Sequence, residues 1–76
     1  MKGIIENNSK LFKLLEKELN KKISRISEGE DEDTIRFEDG SLTYCIIKFI
    51  FDERIKIVVT ILDNNFDPTQ EINLTL

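Results

Sequence analysis

The chain has 76 residues, 11 Lys and Arg against 15 Asp and Glu, a net charge of −4, one cysteine and no histidine. A chain this short makes one domain that buries only roughly 60% of its unfolded surface, and one cysteine excludes an intramolecular disulfide or a zinc cluster. The absence of histidine removes the commonest general base, the usual serine and cysteine triads and most zinc sites, so the sequence predicts a non-enzyme without metal or cofactor.

Charge is distributed unevenly. Residues 1–22 carry six lysines against three glutamates, whereas residues 28–39 carry seven acids against Arg36 alone. No run of about 18 apolar residues is present and the start lacks the basic, apolar and small-residue succession of a secretory leader, so no membrane association and a cytoplasmic location are expected.

In chain order, Ile4, Leu11, Phe12, Leu15 and Leu19, with Ile5 beside them, fall on one side of a helix within residues 4–23. Lys10, Lys13, Lys17 and Lys21 line the other side, and Leu14 falls toward the lysines. The helix is expected to start between Lys2 and Ser9 and to run about 18 residues, about 27 Å; Asn8 offers an alternative cap for a shorter helix from Ser9. Residues 23–28 read as a weak strand or an extended connection, because Ile23 and Ile26 do not fit a period of two. Glu28 to Asp33 is a loop of like charges.

Thr34 to Glu38 alternates Ile35 and Phe37 with polar residues and reads as a strand. Its turn into the next strand decides where those two side chains point. A three-residue Glu38-Asp39-Gly40 turn with Gly40 in the left-handed region aims them at the same face as Phe49, and is preferred to a two-residue Asp39-Gly40 turn because Ser41, Thr43 and Cys45 leave room there.

Thr43 to Phe51 and Ile55 to Leu62 are rich in β-branched and aromatic residues and flank Asp52-Glu53-Arg54, so they form a long hairpin. Setting Phe51 opposite Ile55 makes one face wholly apolar, with Cys45, Ile47, Phe49, Phe51, Ile55, Ile57, Val59 and Ile61; a slip of one residue would mix lysine into it. Residues 63–70 form a loop by composition, and Glu71 to Leu76 alternates as a last strand. The expected architecture is α+β: one domain over residues 1–76, with one N-terminal amphipathic helix packed on a four- to five-stranded, mostly antiparallel meander sheet.

One helix covers only one face of such a sheet. The other face, with Leu42, Tyr44, Ile46, Ile50, Val58 and Leu62, is therefore expected to meet a partner or a second copy, giving a homodimer. Lys48 and Lys56 laying their stems across it is the plainer alternative.

The acids of Glu28 to Asp33, and those of Asp63 to Asp67, do not have the spacing of an EF-hand loop. No phosphate-binding glycine loop is present. Cys45 sits mid-strand on the expected core face and reads as a small buried residue. The lysine stripe lacks interleaved aromatics and arginine, so direct nucleic-acid binding is not expected. The sharper expectation is a protein-protein interaction protein, a small acidic inhibitor of the phage or mobile-element kind, anti-restriction or anti-CRISPR-like by analogy of size and charge. In it Glu28, Glu30, Asp31, Glu32, Asp33, Glu38 and Asp39 present a negative patch to the basic site of a nucleic-acid-handling enzyme. The alternative is a structural module that self-associates through its open sheet face.

Overall fold

A computed structural model describes residues 9–76 of the chain. One helix, α1 (Ser9–Leu19), precedes five strands: β1 (Ile23–Ser27), β2 (Asp33–Phe37), β3 (Leu42–Phe51), β4 (Ile55–Leu62) and β5 (Pro68–Thr75). The strands form one antiparallel sheet in sequence order. The α+β meander is as the pattern predicts, with five strands.

Helix α1 buries Leu11 and Leu15, one turn apart on one side, while Lys10, Lys13 and Lys17 are exposed. Leu14 does not sit out among the lysines: it packs half-buried against the core with Phe12 and Leu19. The longer helix reaching back toward Lys2 falls outside the described residues. At the other end the helix stops at Leu19, short of the expected boundary, because Asn20 adopts φ 55°. Asparagine tolerates that left-handed conformation, and the Lys21 amide then donates to the Glu16 carbonyl at 3.3 Å, which closes the last turn as a Schellman motif. The Glu16 carboxylate accepts from the Ile23 amide at 2.7 Å, tying the helix to the first residue of β1.

Ile23 and Ile26 are both buried although they are three apart in a strand. The ladder between β1 and β2 shifts register between Ile23 and Arg25, and such a bulge inserts one residue and returns the next apolar side chain to the same face. This is why the segment lacked a period of two.

The turn after β2 is the three-residue form. Phe37 and Ser41 flank it, the Phe37 amide donates to the Ser41 carbonyl at 2.9 Å, and Gly40 has φ 91°. Ile35 then lies across from Thr43, and Ile35 and Phe37 both enter the core. The β3–β4 ladder also has the expected register, Phe51 opposite Ile55 and Cys45 opposite Ile61.

Two expectations are corrected. Strand β5 begins at Pro68, three residues before Glu71, with a register shift between Ile61 and Leu62; proline is tolerated as the first residue of an edge strand because no ladder amide is needed there. The apolar face of the β3–β4 hairpin is also not covered along its length. Cys45, Ile57, Val59 and Ile61 are buried, Ile47 and Phe49 half-buried, but Phe51 and Ile55 are 63% and 39% exposed. An 11-residue helix is about 16 Å long, whereas a ten-residue strand is about 33 Å. Strand β2 is short as well, pairing with β3 only from Leu42 to Cys45. The core still reaches the Phe49–Ile57 pair, where Ile57 is fully buried, and only the tip beyond it, Phe51 and Ile55, stands out.

Candidate protein-interaction surface

The acidic residues expected to form one patch are divided between the two ends of β2. Glu28, Glu30, Asp31 and Glu32 lie in the loop before it, Glu38 and Asp39 in the turn after it. Five strand residues separate them, about 17 Å.

The two ends differ chemically. Asp39 accepts from the Ser41 amide at 2.8 Å and from the Ser41 hydroxyl at 2.6 Å, and pairs with Lys21 Nζ at 3.1 Å. These contacts, the Ser41 hydroxyl foremost, hold its carboxyl down at about 2. Lys21 Nζ also donates to Ser41 Oγ at 2.9 Å and stands 4.6 Å over the Phe37 ring. The turn's acid is thus spent on holding the turn to the end of α1.

At the other end Asp33 is the first residue of β2, not part of the loop, and its carboxylate accepts from the Ile47 amide at 2.9 Å. The carboxylates of Glu28, Glu30, Asp31 and Glu32, by contrast, make no ion pair or hydrogen bond among the described residues. Asp52, Glu53 and Arg54 lie farther out in the same direction, at the tip of the β3–β4 hairpin. The free carboxylates of the β1–β2 loop thus lie toward the tip of that hairpin, whose own exposed charges are mixed: Lys48, Arg54 and Lys56 beside Asp52 and Glu53.

The open sheet face is smaller than its sequence suggests. Leu42, Ile46 and Ile50 are exposed at 41%, 40% and 46%, while Tyr44 and Val58 are half-buried. Leu62, expected on the surface, is buried at 8% exposure. Beside it the β4–β5 loop folds back toward this face: Asp63 Oδ1 accepts from the Asn65 and Asp67 amides, and the Phe66 ring, at a residue with φ 63°, lies 5.0 Å from that of Tyr44, which stands across the ladder from Leu62. Sequence reading took residues 63–70 only as a polar loop, and Phe66 was the signal that one apolar residue in it would fold back.

No protein family, curated protein or solved structure matches this chain. Its surface chemistry has to speak alone. Cys45 is buried, and burial, with the nearby Asp33 carboxylate adding to it, pushes its thiol up to about 12. No group of three or more potential metal ligands is assembled among the described residues. No helix among them is long and apolar enough to cross a membrane. An open cleft of about 530 Å³ at the end of α1 is lined by Lys13, Glu16, Lys17, Asn20, Lys21 and Lys22. Lys21 and Glu16 are already engaged there by Asp39 and Ile23.

Sequence reading missed the outer edge of β3. Among the described residues, the strand pairs with no neighbour on the β2 side beyond Cys45. The signal was present in the unequal lengths of the two apolar segments flanking Gly40.

Proposed function

We propose that this chain is a non-enzymatic protein-protein interaction protein, an inhibitor-like module whose free carboxylates Glu28, Glu30, Asp31 and Glu32 engage a basic site on a protein partner. The observation that carries this reading is the coincidence, around one half of one hairpin, of unpaired acids with exposed Ile46, Ile50, Phe51 and Ile55. Charge complementarity guides such an encounter, and apolar contact makes it last. A nucleic-acid-handling enzyme is a fitting partner class, since its groove supplies the basic site. The homodimer reading rests on Leu42, Ile46 and Ile50, a patch narrowed by the burial of Leu62.

The test is capture from source-cell lysate on the tagged protein at low and moderate salt, beside a variant carrying Glu30→Lys, Asp31→Lys and Glu32→Lys. A basic protein retained at low salt, weakened at moderate salt and lost to the variant supports the proposal, because exposed charge contacts are screened. Equal retention by the variant refutes the acidic contact. Recovery of the chain's own copies alone favours the self-associating module.

A further inference from the structure

Ile47 donates its amide sideways, toward β2, to the Asp33 carboxylate. In an antiparallel ladder the backbone groups of successive residues point to alternate sides, so Phe49 and Phe51 aim theirs the same way. The other side of the hairpin agrees: the Ile55 carbonyl accepts from the Leu76 amide at 2.9 Å, so Ile55 faces β5, and Phe51 opposite it faces away from β4. Among the described residues no strand lies in that direction past Ile47, and Phe49 and Phe51 form no hydrogen bond to another element. The Ile47 carbonyl, both groups of Phe49 and the Phe51 amide thus form an unfilled edge about 17 Å long.

Resting on the interaction reading above, we infer that this edge of β3 is the docking site itself, and that it takes an extended, cationic segment of a partner protein as an added strand. Backbone groups of the segment continue the ladder where β2 stops, and alternate apolar side chains lie on Phe49 and Phe51 on one face and on Ile46 and Ile50 on the other. Charge selects the occupant. The carboxylates of Glu30 and Glu32 stand at the Asp33 end of the gap and those of Asp52 and Glu53, beside Arg54, at the tip, while Lys48 lies midway on the Ile46 and Ile50 face, so a strand with basic residues at both ends and an uncharged middle is matched. A second copy is not: two β3 edges paired about Phe49 would set the Asp52-Glu53 tip of one against the Asp33 end of the other, acid against acid.

The test uses the intact chain and a short fluorescein-labelled peptide, a core of alternating valine and threonine between lysine pairs, read by anisotropy at low salt. Binding is expected, weakened on the order of tenfold by Glu30→Lys with Glu32→Lys. Phe51→Pro removes one edge amide on a strand position where proline is tolerated and should weaken binding about three- to tenfold. A counterpart peptide N-methylated through its core keeps every side chain and charge, leaves the protein untouched and should lose binding. Equal binding of the two peptides overturns the added-strand reading, as does no binding of either. Capture of a basic partner from lysate that is undiminished by Phe51→Pro but lost to the acid reversals would also overturn it, leaving the interaction proposal in place. A dimer dissolved by Phe51→Pro would assign the edge to a second copy and overturn the cationic occupant.

Discussion

Replacing Gly40 by alanine tests the turn that aims Ile35 and Phe37 at the core. At Gly40 φ is 91°, and a Cβ built there meets nothing within 4 Å, so any cost comes from the backbone alone. An L-residue held in the left-handed region costs roughly 1–2 kcal/mol. A chain of this length has a total stability of about 4–11 kcal/mol, so the loss is a sizeable share. With a urea slope on the order of 1 kcal/mol/M for a small domain, the midpoint should fall by about 1–2 M; in a thermal scan Tm should drop by roughly 4–16 °C. The sign of φ makes a mirror experiment possible. The chain is short enough for chemical synthesis, and D-alanine at the same position is relaxed where L-alanine is strained. It should stabilise by about 0.4–1 kcal/mol, by narrowing the unfolded ensemble. Far-UV circular dichroism during urea titration of the three proteins is the assay. L- and D-alanine variants of equal midpoint would refute the left-handed turn and, with it, the reason given for the inward face of Ile35 and Phe37.

Two further outcomes follow from the same contacts. The Asp39 carboxyl, held at about 2 against its ordinary 3.8, contributes stability that is complete above its ordinary value and disappears as pH falls through about 2; Asp39→Asn should therefore lower Tm at neutral pH, the difference closing between about pH 4 and pH 2, and a difference independent of pH would count against the Lys21 and Ser41 contacts. Cys45, buried with its thiol pushed up to about 12, should react with a thiol reagent at neutral pH only on unfolding, slowing in step with stability across variants; labelling as fast as a free thiol would place it elsewhere than in the core.

The alternation of apolar side chains from Thr43 to Leu62 was enough to pair Phe51 with Ile55, because any slip by one residue would have put lysine on the apolar face. The same kind of reasoning selected the Gly40 turn: residues with small side chains opposite Ile35 and Phe37 left space on one face only. These are local consequences of period and of which residues tolerate a positive φ, and they need no knowledge of the rest of the fold. Strand β1 resisted such reading, since its bulge is defined by the partner strand and not by its own residues. Leu62 and Asp33 resisted for a related reason. One lies across the ladder from Tyr44, whose ring meets Phe66 of the following loop, the other bonds to an amide 14 residues away, and neither neighbour is marked in the sequence around them. The candidate site divides along the same line: the acids were legible as charges, but whether each is free or spent was decided by what the fold set beside it. Composition and periodicity determined the class of fold, the hairpin and its register, and the absence of histidine. Only the tertiary structure decided that β2 pairs with β3 no farther than Cys45, and so left, among the described residues, a strand edge between two groups of carboxylates, because relative lengths and docking of elements depend on contacts between segments that no single segment encodes.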